Sequence, residues 1–154
     1  MSFDLSVISN KNILLAVTGG IAAYKSAILV RRLKDAGFNV RVVMTEGAQA
    51  FITPLTFQAL SGNPVHTQLL NPEAEAGMGH IELARWADLL LVAPASCDSL
   101  AKFAAGLADD LLSTLYLATK APVWVAPAMN QQMWAAKATQ RNLQTLIEDG
   151  VHVI

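Results

Sequence analysis

Short apolar runs alternate with amphipathic stretches along most of this chain. Residues 12–17 form an apolar run ending in Thr18-Gly19-Gly20, which predicts a central strand followed by a tight turn. Residues 21–36 continue at helical period, with Ala22, Ser26, Leu29, Leu33 and Ala36 on one stripe, and Gly37 ends that helix. A second strand is predicted at 39–44. Pro54 then opens a helical stretch reaching Leu60, and Gly62-Asn63-Pro64 reads as a turn. Residues 65–70 read as an edge strand, and 71–79 as a loop leading to His80. A buried strand at 89–93 is closed by Pro94, and two helices, 98–105 and 109–118, are separated by Gly106. A strand at 123–126, a helix at 138–149 stopped by Gly150, and the start of a last strand at 151–154 complete the pattern. This rhythm predicts an α/β domain over residues 12–154: a parallel sheet with right-handed crossovers and helices on both faces. Residues 1–11 form a polar leader.

Composition narrows the class. A chain of 154 residues suits one domain with one core. Hydrophobic residues make up 53% of it and charged residues 15%, so part of the apolar surface is expected to be hidden in an oligomer. The net charge of −1, without a basic run, argues against nucleic acid as a partner. An anionic ligand would have to be held by backbone donors and hydroxyls. Cys97 is the single cysteine, and His66, His80 and His152 lack ligand spacing, so neither disulfides nor a metal site is expected. The apolar run after Lys11 is too short for a signal peptide, and no run reaches membrane-spanning length. The reading is a cytoplasmic, soluble protein.

Candidate chemistry gathers in the loops that follow strands, where open α/β sheets bind ligands. Gly19, Gly20 and Ile21 lie between the first strand and first helix, where glycine permits close backbone approach and a helix start offers unpaired N–H groups. The stretch is neither a dinucleotide fingerprint, since its third glycine is missing, nor a P-loop. Glu46, after the second strand, could accept from a ribose, but the hydroxyl of Thr45 better suits a single phosphate, which favours FMN over NAD. Pro94, Ala95 and Ser96 follow the third strand, with Ser96 or Asp98 available as a helix cap. Cys97 reads as an inert residue lining the cavity. His80 is either a satisfied polar residue or a base of suitable pKa. After the fourth strand, Asn130 offers an amide that donates and accepts, flanked by Met129, Met133 and Trp134. That set suits a polar or planar small molecule, or else the thioethers and indole simply begin a helix.

The octet at 127–134, P-x-M-N-x-x-M-W, resembles the signature of the flavin-dependent cysteine decarboxylases. Similarity extends to Thr18–Lys25, Thr45–Pro54, His80–Leu83, the A-P-A-S loop and the lysine position filled by Lys102. The resemblance implies a Rossmann-like, flavodoxin-scale fold binding FMN at a subunit boundary in homotrimers, often assembled into dodecamers. Apolar surface on the 109–118 helix is expected to serve that assembly. It implies decarboxylation of N-(4'-phosphopantothenoyl)cysteine to 4'-phosphopantetheine, with His80 as base, Asn130 on the substrate carboxylate and Met129 and Met133 beside it. Within the family, residues 78–83 and 128–133 look nearest to bacterial members in which a phosphopantothenoylcysteine synthetase domain follows. The family's catalytic cysteine and substrate lid would then lie beyond Ile154, so this form is expected to bind FMN without completing turnover. Two alternatives are a peptidyl-cysteine decarboxylase and a non-catalytic FMN-binding regulatory subunit.

Overall fold

The computed structural model describes residues 11–69 and 78–154. The predicted leader up to Asn10, the last residue of the 65–70 strand and residues 71–77 of the following loop lie outside the described residues.

Strand β1 (Asn12–Val17) dictates the layering. Successive side chains on a strand point to opposite faces. Leu14 and Ala16 enter one core cluster, while Ile13, Leu15 and Val17 enter another. All five are buried, so both faces of the sheet must be covered. Helices α1 (Ala23–Asp35) and α2 (Pro54–Ser61) cover one face, supplying Val30 and Phe57. Helices α3 (His80–Trp86), α4 (Cys97–Ala105), α5 (Leu111–Ala118) and α7 (Lys137–Glu148) cover the other with Leu83, Leu100, Leu112 and Leu146. The short α6 (Gln131–Ala135) buries no residue. Among the described residues, no helix is long and apolar enough to cross a membrane.

Strands β2 (Asn39–Met44), β3 (Leu89–Ala95), β4 (Val123–Pro127) and β5 (His152–Val153) join β1 in the order β2-β1-β3-β4-β5, every pair parallel. The chain leaves β1 toward one edge and returns to its other side at β3. Crossovers therefore diverge between β1 and β3, opening a crevice beyond their carboxyl ends. The predicted flavodoxin-scale α/β architecture, a parallel sheet with helices on both faces, is the one observed, and its strand order is that of the flavodoxin-like doubly wound fold.

Several boundaries differ, each for a local reason. The core stripe of α1 is Ala23, Ser26 and Val30; Ala22 is only half-buried and Ala36 is exposed. The turn after Gly20 delays the helix to Ala23, and this sets which positions face the sheet. Strand β3 runs through Pro94 to Ala95, with an irregular register against β4 between Val92 and Ala95 that accommodates a residue lacking N–H. Among the described residues, the 65–70 strand reduces to one bridge, in which His66 N–H donates to Val42 O at 3.0 Å and Met44 N–H to His66 O at 2.9 Å. The helix read at 109–118 begins at Leu111, and its expected apolar surface is mostly core: Leu111, Leu112 and Leu115 are buried, leaving Leu117 exposed. Other exposed apolar side chains include Ile21, Tyr24 and Ile28 around α1 and Phe51 and Leu55 around α2.

Candidate functional site

Three strand-end loops are locked together by short polar side chains. Thr18, fully buried after β1, donates from Oγ1 to Pro94 O at 2.6 Å and accepts from Ser96 N–H at 2.7 Å. Its own N–H also donates to Pro94 O at 3.3 Å. This hydroxyl thereby replaces ladder bonds where the sheet opens between β1 and β3. After β2, Thr45 N–H donates to Val17 O at 3.1 Å, and Thr45 Oγ1 accepts from Ala48 N–H at 3.2 Å, starting a 3-10 turn at Gly47–Ala50. The loops after β1 and β2 then meet glycine to glycine. A Cβ on Gly19 would sit 3.1 Å from the Gly47 carbonyl carbon, tighter than most Cβ contacts, so the Gly47 backbone would have to give by a few tenths of an ångström. Ser96 caps α4, its Oγ accepting from Ser99 N–H at 3.1 Å.

Above these loops opens a cleft of ≈ 1070 Å³. Gly19, Thr45, Gln49, Thr67, Ser96 and Ser99 give it a wall of backbone, hydroxyl and amide groups. A charged wall stands opposite in composition. Lys102 Nζ lies 3.3 Å from Asp110 Oδ2, 3.4 Å from Asp109 Oδ1 and 3.7 Å from Asp98 Oδ2. Asp110 caps α5, its Oδ1 accepting from Ser113 N–H at 2.8 Å and Ser113 Oγ at 2.6 Å, while Asp110 N–H donates to Ser113 Oγ at 3.1 Å. Burial raises the Asp110 carboxyl pKa, but the Ser113 hydrogen bonds and the Lys102 charge outweigh this and hold it below its ordinary value. Burial lowers the Lys102 pKa less than its carboxylate neighbours, chiefly Asp110, raise it.

Of the residues singled out in the sequence, Gly19, Thr45 and Ser96 converge on this cleft. Gly20 and Ile21 lie just past it: a Cβ on Gly20 meets nothing, and Ile21 is 82% exposed. Pro94 and Ala95 are buried in β3, with the Pro94 carbonyl engaged by Thr18. Asn130 is exposed at the N-cap of α6, where Oδ1 accepts from Met133 N–H at 2.8 Å, leaving its NH2 group as donor for a ligand. Met129 packs against the core and Met133 is exposed. His80, half-buried, is the first residue of α3. Neither His80 nor Asn130 lines the cleft of the single chain. Cys97, read as cavity lining, instead contacts Thr139 of α7 at 3.5 Å, because its position at the start of α4 faces that helix.

Sequence reasoning missed Thr18 as the lock between loops and Ser99, Gln49 and Thr67 as cleft residues. The Ser96-x-x-Ser99 spacing was a visible capping signal. Gln49 and Thr67 carried none, since a 3-10 turn and a one-residue bridge place them.

Glycine approach, hydroxyl-lined strand ends and a switch-point cleft define a nucleotide-cofactor fold of the flavoprotein class. Residues 4–154 match the Flavoprotein family, and the chain belongs to it. It is 63% identical over 143 residues to the coenzyme A biosynthesis bifunctional protein CoaBC of Vibrio cholerae, covering 93% of this chain and 36% of that protein. The chain thus spans about a third of the length of that curated relative. Among solved structures, it resembles the FMN-dependent cysteine decarboxylase SpaF with a TM-score of 0.87 at 34% identity, over 96% of this chain and 85% of that one. A PPC decarboxylase variant complexed with pantothenoylaminoethenethiol aligns with a TM-score of 0.79 at 34% identity, over 94% and 81%.

Proposed function

We propose that the cleft binds FMN and that this domain decarboxylates N-(4'-phosphopantothenoyl)cysteine to 4'-phosphopantetheine in coenzyme A biosynthesis. The observation carrying this reading is the switch-point cleft built from Gly19, Thr45 and Ser96, in a chain 63% identical to a CoaBC protein. The cleft suits the cofactor: its volume reaches the upper end of ligand pockets, roughly 300–1,000 Å³, and its donors are hydroxyls, amides and backbone. The Gly19–Gly47 contact keeps side chains out of its base. Gly19, Thr45, Ser96 and Ser99 would hold the cofactor.

Bound FMN supplies two-electron oxidation of the substrate thiol and the later return of those electrons. The protein's task is to bind, orient and move protons. The Asn130 NH2 group donates to the substrate carboxylate, and the apolar faces of Met129 and Met133 pack beside it. His80 is the candidate base for the thiol proton. Since neither His80 nor Asn130 lines its own chain's cleft, we place the complete site at a boundary between copies. The exposed apolar side chains Ile21, Tyr24, Ile28, Phe51 and Leu55 would be covered there. A homotrimer, further assembled into a dodecamer, fits this arrangement, as does a fused phosphopantothenoylcysteine synthetase domain in the full protein. A cytoplasmic location follows from this role.

The purified protein is expected to be yellow and to release FMN on denaturation; a colourless protein taking up no FMN at micromolar concentration overturns the reading. Incubation of the full protein with phosphopantothenoylcysteine should give phosphopantetheine by mass spectrometry. Asn130→Asp should leave the FMN content unchanged and weaken substrate binding by at least the ~1.5–3 kcal/mol of a hydrogen bond to a charged group, since two carboxylates would then face each other.

A further inference from the structure

The cleft lining is electrostatically lopsided for a site proposed to hold an anionic cofactor. Among the described residues, it contains the carboxylates of Glu46, Asp98, Asp109 and Asp110 and one cation, Lys102. Four carboxylates against one ammonium leave a net charge of −3. Lys102 is surrounded by three of those carboxylates at 3.3–3.7 Å, so most of its charge is already answered. The cluster is also held in place. Asp110 is fixed by its reciprocal cap with Ser113, and Lys102 projects from the last turn of α4 with its side chain 21% exposed. Lys102 and Asp110, with side chains 21% and 35% exposed, are partly buried and so screened less than fully exposed charges.

We infer that this Lys102-centred cluster keeps a flavin bound in the cleft at a low reduction potential, with Lys102 as the positioning residue that limits how much carboxylate field reaches the ring. The inference rests on the proposed FMN reading. Reduction by two electrons and one proton leaves a flavin with one more negative charge, which a negative wall opposes; a second proton relieves it. The wall therefore favours the oxidised ring and, on reduction, the neutral form over the anion. The chemistry needs such a bias. Decarboxylation is redox-neutral overall: the carboxylate leaves as carbon dioxide, a proton takes its place, and the two electrons removed from the thiol-bearing carbon return to the same substrate. A cofactor that retained those electrons would halt the reaction after carbon dioxide had left.

A role confined to bracing α4 against α5 would give variants that lose stability or FMN without a signed change in potential. Redox titration of the FMN-loaded protein against reference dyes, followed by flavin absorbance, separates the two. Asp109→Asn removes a carboxylate that is 58% exposed and should shift the oxidised-to-reduced equilibrium about tenfold toward reduced flavin, ~30 mV positive for a two-electron couple. Lys102→Gln should shift it by a similar factor in the opposite direction. Asp98→Asn, at a carboxylate 79% exposed, should follow Asp109→Asn and provides the test if Lys102→Gln does not fold. Potentials that are unchanged, or that move the same way for lysine and aspartate variants, overturn the inference while leaving the FMN reading intact. A wild-type protein that takes up no FMN overturns that reading, and this inference with it.

Discussion

Gly19 and Gly20 are neighbours of the same type in very different surroundings. A methyl group at Gly19 would press on the Gly47 backbone at 3.1 Å, and backbone cannot swing aside like a side-chain end. At Gly20 it would meet nothing, and no positive φ at Gly20 calls for glycine. Gly19→Ala should therefore push the loops after β1 and β2 apart, lowering the melting temperature and weakening FMN uptake at least tenfold. Gly20→Ala should leave the melting temperature unchanged. Any loss of FMN affinity in Gly20→Ala would then report direct approach of the cofactor to that backbone. Equal melting temperatures for the two variants would refute the packing argument. The paired glycines were conspicuous in the sequence, but the distinction between them was not, because Gly47 lies 28 positions away from Gly19 in the chain.

The single bridge at His66 governs a larger piece of structure than its length suggests. It attaches residues 65–67 to the edge of β2, and Thr67, Gln68 and Leu69 then form part of the cleft wall. The imidazole is buried, and its Nε2 has no hydrogen-bond partner among the described residues. Burial, with a smaller contribution from the Arg41 charge, lowers its pKa below the ordinary imidazole value of 6.5. The sign of the linkage follows. Above pH 6.5 the side chain is neutral whether the chain is folded or not, and its contribution is intact. As pH falls below that value the unfolded chain takes up a proton that the folded chain resists, so stability declines until the folded pKa is passed. Denaturant titrations at pH 7.5 and 5.5 should show this decline, and His66→Gln should flatten it. An identical pH dependence in wild type and His66→Gln would exclude His66 as its source.

At the scale of the whole molecule, the distribution of apolar surface matters more than its total. The composition indicated excess apolar area, and among the described residues Ile21, Tyr24, Ile28, Phe51 and Leu55 expose it on the α1–α2 side while the helix first assigned it exposes Leu117. Ile21, Tyr24 and Ile28 recur at helical spacing around α1, which packs against α2. If the proposed assembly uses this face, Tyr24→Glu combined with Ile28→Asp should bring the mass measured by light scattering down to a single chain. Neither side chain contributes to the buried core, so near-wild-type secondary structure by circular dichroism should accompany this change. An assembly of unchanged mass would move the contact to another face.

The alternation of apolar and polar positions determined the order and type of most elements, though not of helices α3 and α6, because buried strands and longer amphipathic helices impose periods that survive without knowledge of their neighbours. The strand-end positions of Gly19, Thr45 and Ser96 were legible for the same reason: once strands are located, their carboxyl ends are located too. What only the tertiary structure decided was which of those ends meet. The buried Thr18 hydroxyl bridging to Pro94 and Ser96 and the entry of Thr67 into the cleft both join residues distant in sequence. So does the separation of His80 and Asn130 from the cleft of their own chain. These follow from the order of strands and the packing of helices, and local propensity carries no information about either.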